Sequence, residues 1–277
     1  MSSDDYSDLR VLVLRENWLG STGWSVFNAL LHAGVQASTI SEGDYIPLLW
    51  RGFALRALGK CIRPIAVREF NRGLLREARS VKPHLFLAVK GMHVLSETLR
   101  TMKREGISVY CFYPDISIRG HGPYLPSAVK EYDWVFTTKS FGPSDLKEIF
   151  GIANSSFLPH AFPPELYSVR PIPPEVAARY ECDVSFIGHW TPKKERILDD
   201  LIRRRPTLNL RVWGDHWSRL PRGSPLRPHL ALRAVIGTEY ATAVRCSKIN
   251  LGLLTENMWE SSASSGDRIT QRTFHIP

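Results

Sequence analysis

The chain has 277 residues, enough for two domains of ordinary size, and its 43% hydrophobic and 23% charged residues are those of a soluble globular protein. Lysine and arginine exceed aspartate and glutamate by 36 − 27 = 9, a balance that permits nucleic acid, anionic membrane or phosphorylated substrates as partners. The charges form no long run and no aromatic-interleaved basic stripe, so nucleic acid is not expected.

Cys61, Cys111, Cys182 and Cys246 lie far apart and form no C-x-x-C pair, which argues against a zinc site or disulfide framework and for reduced thiols. The start, MSSDDYSDLR, is polar and acidic without an apolar signal segment. No apolar run approaches the ~20 residues that span a bilayer. The expected compartment is the cytoplasm.

Val11-Leu12-Val13-Leu14 is fully apolar, as the buried centre of a parallel sheet requires. A glycine-punctuated loop, Glu16 to Gly23, leads into a helix marked by Val26, Leu30 and Leu31 and stopped near Gly34. Val35 to Ile40 alternates like a second strand. This βαβ opening lacks G-x-G-x-x-G, so it carries no dinucleotide fingerprint, and no cofactor is expected. Gly20, in the loop, is a candidate for close approach of a substrate.

Residues 47–80 are predicted helical, with arginines at 51, 56, 63, 68, 72, 76 and 79 between Leu and Phe positions. They read as a solvated helix face; peripheral contact with anionic lipid head groups is the alternative. Strands are predicted at 83–89, 107–112, 133–138 and 156–160, with helices at 96–104 and 144–150 between them. Such alternation is the signature of a doubly wound parallel sheet. Asp115, His121 and Glu16 all follow strand ends of this first sheet. Each is a candidate general base for activating an acceptor hydroxyl, with Asp115 preferred because it stands directly after a strand terminus at Pro114.

Six prolines then crowd residues 159–174 and predict a stiff linker. The expected division is an N-terminal domain at 1–162, a linker at 163–180 and a C-terminal domain at 181–277. The pattern restarts at Cys182 to Arg196, CDVSFIGHWTPKKER: an apolar strand ending on Gly188, a turn with Pro192, then a helix. A strand ending in glycine before a helix N-terminus is where phosphate binds in such sheets. Leu208 to Trp213 is a second strand, ending on Gly214, and Ile249 to Leu254 a third. The proline- and arginine-rich stretch from Trp217 to His229 is expected to be an insertion or mobile lid. Three strands are few for such a sheet, and Phe274-His275-Ile276-Pro277 reads as the middle of an element, so a second domain that is incomplete, in a fragment of a longer chain, is expected.

Two Rossmann-like α/β halves with a proline linker describe the GT-B glycosyltransferase architecture. GSTGWSVFNALLHAG resembles the opening of the spore-maturation (CgeB-type) glycosyltransferases. FYPD at 112–115, DWVFTTK at 133–139 and FLPHAF at 157–162 resemble the strands that follow in that family, and DVSFIGHWTPKKERILDDL the start of its donor domain. The closing DRITQRTFHIP resembles its arginine-phenylalanine nucleotide-sugar motif. The resemblance implies a nucleotide-sugar donor, no bound metal (no D-x-D triplet is present) and an acceptor that it does not identify. It implies that Gly188 is the close-approach glycine, with Arg196 nearby and Gly214 lining the same cleft. Arg268 and Arg272 would face the diphosphate, whose developing charge suits bidentate arginine contacts. Many relatives carry glutamate where this chain has His275, which would hydrogen-bond ribose or sugar hydroxyls in its place. An epimerase on the same architecture, and a non-catalytic nucleotide-sugar-binding or scaffolding protein, remain alternatives.

Overall fold

A computed structural model describes residues 6–46, 53–167 and 171–254, with the backbone alone over 53–61. The described residues form two compact units, one up to His160 and one from Ala161 onwards.

The first unit is built on a six-stranded, wholly parallel sheet in the order β2-β1-β3-β4-β5-β6. Its strands are β1 (Arg10–Leu14), β2 (Gln36–Ile40), β3 (Leu85–Val89), β4 (Ser108–Tyr113), β5 (Trp134–Thr137) and β6 (Ser155–Phe157). The helices are α1 (Thr22–His32), α2 (Phe53–Val81), α3 (Ser96–Arg104), α4 (Leu125–Ala128) and α5 (Gly142–Phe150). Four successive apolar residues in β1 make sense only where both faces are covered. Leu12 and Leu14 pack into one core with Phe70, Leu74 and Phe86, and Val11 and Val13 into another with Val26, Phe27 and Leu30. Strand order reverses between β1 and β3, the point at which open α/β sheets leave a crevice beyond their carboxyl ends.

The α2 arginines among the described side chains, Arg63, Arg68, Arg72, Arg76 and Arg79, are all exposed. Arg72 and Arg76 reach Glu69, and Arg79 forms a forked pair with Glu105 on α3. That is the solvated face expected of them. Residues 47–52 lie outside the described residues.

The second unit holds, among the described residues, a three-stranded parallel sheet in the order β8-β7-β9. Its elements are α6 (Pro164–Tyr167), α7 (Pro174–Ala177), β7 (Cys182–Ile187), α8 (Pro192–Arg204), β8 (Leu210–Trp213), α9 (Gly237–Arg245) and β9 (Ser247–Leu251). Thr191 caps α8 by accepting the Lys194 N–H, and Pro192 starts it, where its missing N–H costs nothing. Leu198 and Ile202 then face the sheet, one helical turn apart.

Within the proline-rich stretch, α6 and α7 are single helical turns. Leu166 is buried, Tyr167 meets Tyr240 edge-on and Tyr180 stacks on Trp213. The stretch from Trp217 to His229 corrects the expectation of an insertion or mobile lid. Trp217, Leu220 and Leu226 are at most 2% exposed and belong to the same core as Val184, Phe186 and Val212. Three large apolar side chains spaced among the prolines and arginines pin the segment down. Their burial outweighs the polar composition from which a lid was inferred.

Candidate functional site

Three candidate bases chosen from the sequence converge at the switch point of the first sheet. The residue that joins them was not foreseen. Lys90, just past β3, places its Nζ 3.2 Å from Glu16 Oε1, beyond β1, and 3.3 Å from Asp115 Oδ2, beyond β4. His121 Nε2 lies 3.6 Å from the same Asp115 oxygen. The sequence showed a strand ending at Lys90-Gly91, and the turn there is demanding. Lys90 and Gly91 have φ of +69° and +66°, and a side chain on Gly91 would meet the Tyr132 hydroxyl at 2.8 Å. The turn is held from below. Asn71 on α2 donates to the His93 carbonyl and accepts from the Leu95 N–H, while both Glu42 oxygens accept from His93.

Glu16 sits against the first turn of α1. A side chain on Gly23 would come within 2.6 Å of Arg15 Cβ and 3.1 Å of Glu16 Oε2, so this glycine makes room for the carboxylate. The N-terminal end of a helix favours such a negative charge. Glu16 Oε2 is buried and has no protein hydrogen-bond partner. Gly20 takes φ of +82° in the turn that carries the chain to Ser21, whose hydroxyl caps α1 by accepting the Trp24 N–H.

The hydrogen-bond network fixes the His121 tautomer. The Tyr113 hydroxyl donates to the Ser117 carbonyl at 2.5 Å, so its oxygen accepts from His121 Nδ1–H at 2.6 Å. Nε2 is then the unprotonated nitrogen, and it faces Asp115. Burial lowers the His121 pKa and Lys90 lowers it further, against the opposing pull of Asp115, Glu42 and Glu16. The ring is neutral at pH 7, able to accept a proton. Burial alone would lower Lys90 as well, but Asp115 and Glu16 outweigh it and raise its pKa, so it stays a cation. Among the described residues no group of three His, Cys, Asp or Glu side chains is placed to hold a metal ion.

Removing the shared cation has a definite cost. Lys90→Met leaves two carboxylates in a part-buried site, and we expect it to destabilise the first unit by about 1–3 kcal/mol near pH 7. Urea unfolding at pH 7 measures it, and a midpoint equal to that of the wild type would mean that the two carboxylates do not need the lysine.

In the second unit, Gly188 and Gly214 meet at the ends of β7 and β8. Gly214 has φ of +135°, and a side chain there would lie 2.2 Å from the Gly188 carbonyl oxygen. That carbonyl accepts from Trp217 Nε1–H at 2.8 Å, and the Gly188 N–H donates to Trp213 O at 2.8 Å. Arg196 is exposed on α8. Lys194, two residues earlier, is buried instead, donating from Nζ to the His189 carbonyl at 3.3 Å. Trp190 donates to Glu195 and lies under the Arg219 guanidinium. Arg268, Arg272 and His275 lie outside the described residues.

No protein-family model and no curated protein matches the chain. Solved structures do. MnaA from S. aureus, solved with UDP, shares 8% identity at a TM-score of 0.53, over 87% of this chain and 73% of its own. A UDP-GlcNAc 2-epimerase from Neisseria meningitidis, bound to UDP-GlcNAc, shares 10% at 0.51, over 87% and 77%. A trehalose-6-phosphate synthase shares 10% at 0.50, over 87% and 77%. The fold is GT-B. Each unit of this GT-B chain is Rossmann-like, with its candidate residues at the carboxyl ends of its parallel strands. No described helix is long and apolar enough to cross a membrane.

Lys90 and Tyr113 are the parts of this site that sequence reasoning missed. The signal for Lys90 was present in its position one residue past an apolar strand. The signal for Tyr113 was not, because its role depends on a turn that brings His121 back over β4.

Proposed function

We propose that the chain is a sugar-nucleotide-dependent glycosyltransferase of the CgeB type, with the acceptor hydroxyl activated in the first unit and the donor held by the second. The observation that supports this is the convergence of Glu16, Lys90, Asp115 and His121 at the switch point of the first sheet. A neutral imidazole with an open lone pair at Nε2, beside a carboxylate 3.6 Å away, suits a hydroxyl that donates its proton to that nitrogen. The acceptor hydroxyl gives its proton to His121 Nε2 as its oxygen attacks the anomeric carbon. The bond from that carbon to the diphosphate breaks, and its electron pair leaves with the diphosphate. The imidazolium so formed is stabilised by the Asp115 side chain, which Lys90 holds in place. The attack is direct, so the anomeric configuration inverts.

In the second unit the donor site rests on the resemblance and on Gly188 and Gly214 standing at two strand ends ahead of α8, where anions bind in such sheets; their own N–H groups donate to the Trp213 and Arg233 carbonyls. By the resemblance, Arg196, Arg268, Arg272 and His275 belong to this donor site, the two C-terminal arginines meeting the leaving charge. Epimerisation of a nucleotide sugar is the second reading. The same acid–base cluster could move a proton on the sugar itself, and two of the fold neighbours are known by name or ligand as proteins of UDP and UDP-GlcNAc.

One assay separates the readings. Purified protein is incubated with UDP-glucose, UDP-GlcNAc and GDP-mannose, with and without a panel of alcohols, and the products are resolved. Acceptor-dependent release of nucleoside diphosphate with a new glycoside is expected. Conversion of UDP-GlcNAc to its 2-epimer without any acceptor would replace transfer with epimerisation. Nucleotide binding without turnover would leave a binding protein.

A further inference from the structure

The helix α2 changes character along its length. From Val67 onwards its inward stripe is Val67, Phe70, Leu74 and Ala78, all buried in the core of the first unit. Ile62 and Ile65 stand five positions before Val67 and Phe70, which at about 3.6 residues per turn puts them on nearly the opposite side of the helix. They cannot reach that core, and Ile65 is 67% exposed and Ile62 37%. Ile62, Arg63, Pro64 and Ile65 are all exposed and complete a full turn, so no side of that turn is buried. In sequence the same register runs back through Leu58 and Leu55, an apolar stripe at helical spacing on the side away from the core.

The charges along the same stretch are of one sign. Residues 45–68 contain Arg51, Arg56, Lys60, Arg63 and Arg68 and no aspartate or glutamate. Among the described residues, neither Arg63 nor Arg68 meets a carboxylate. The later arginines differ: Arg72 and Arg76 share Glu69, and Arg79 is matched by Glu105. By their helical positions Arg63 and Arg68 flank the isoleucine stripe, one on each side. An apolar stripe with cations at its margins is what a helix lying in a lipid interface presents. A second copy would set this one-signed surface against itself in a two-fold pair, like charge facing like. An anionic membrane instead offers phosphates to the arginines and hydrocarbon to the isoleucines.

We propose that the first half of α2 docks the first unit on an anionic lipid surface, with Ile62 and Ile65 entering the acyl boundary and Arg63 and Arg68 meeting head-group phosphates. The second half of the same helix is anchored in the core through Phe70 and Leu74, so docking is transmitted to the whole unit. Such docking is independent of the chemistry at Glu16, Lys90, Asp115 and His121. It holds equally for a transferase, an epimerase or a binding protein.

The full chain is titrated with vesicles of equal parts phosphatidylcholine and phosphatidylglycerol, and with vesicles of phosphatidylcholine alone, and the bound fraction is read by flotation. Binding to the anionic vesicles is expected, weakening as salt rises. Arg63→Gln and Arg68→Gln should each weaken it roughly fivefold, the effect of one cation near such a surface. Ile65→Asp removes the most exposed apolar side chain and adds a repelled charge, so it should weaken binding by about tenfold or more. All three positions are exposed, so the variants should melt as the wild type does. Failure of the wild type to bind anionic vesicles, equal binding to the neutral ones, or a variant that binds as the wild type does overturns the inference. So does a dimer in light scattering that Ile65→Asp abolishes while no vesicle is bound, which would give this face to a second copy.

Discussion

Replacing His121 by glutamine is expected to lower kcat for sugar transfer by about 10²–10⁴-fold, the usual contribution of a positioned general base, with donor affinity unchanged. Glutamine keeps a polar side chain beside Tyr113 but has no nitrogen that accepts a proton. The wild-type rate should be flat above neutral pH and fall on the acid side with an apparent pKa below 6.5, because burial, followed by Lys90, holds the imidazole below its ordinary value. Lys90→Met removes one of those opposing charges, so the acid limb should move toward higher pH. The same shift has a stability consequence of fixed sign. The unfolded chain binds a proton near pH 6.5 that the folded chain still refuses, so the contribution is present above that pH and is lost as pH falls through it. A rate profile unchanged in H121Q would remove the base from the mechanism.

Gly214→Ala should be the most damaging single-methyl substitution in the second unit. At φ of +135° an alanine is strained in any surroundings, and its Cβ would stand 2.2 Å from the Gly188 carbonyl oxygen. Neither neighbour can yield cheaply. The Gly188 carbonyl is fixed by the Trp217 indole, and the Gly214 N–H is spent on Arg233 O. Backbone strain of about 1–3 kcal/mol, with a further cost for parting β7 and β8, gives an expected loss of about 3 kcal/mol or more. Thermal unfolding followed by tryptophan fluorescence reads this unit through the buried Trp213 and Trp217. The first unit has its own sheet and core and should keep its transition. A melt of G214A that matches the wild type would mean that β7 and β8 part easily.

The difference between what was legible and what was hidden follows the range of the interaction. The βαβ rhythm, the parallel class and the boundaries of α3 were readable because they rest on local periodicity. A run such as Val11 to Leu14 has few other uses, and Ser96–Arg104 shows its buried stripe through Leu99 and Met102. The Trp217–His229 stretch was misjudged for the converse reason. Its composition is that of a loop, and only packing against Phe186 and Val212 shows its three apolar side chains as core.

The candidate site divides in the same way. Sequence by itself placed Glu16, Asp115 and His121 after strand ends, and Gly188 and Gly214 at the ends of theirs, because a strand end is a local property. Strand order is not. The sequence runs β1, β2, β3, but the sheet runs β2-β1-β3-β4, and that reversal carries Lys90 between the carboxylates of Glu16 and Asp115. The turn after Pro114 returns His121 to Tyr113, and one hydrogen bond then fixes which imidazole nitrogen is open. Residues separated by 74 and 25 positions along the chain meet within 3.3 Å of one amine, 16 to 90 and 90 to 115, and no local pattern encodes such a meeting. Local periodicity determined the elements and their ends; the pairing order of the strands decided which ends share a site.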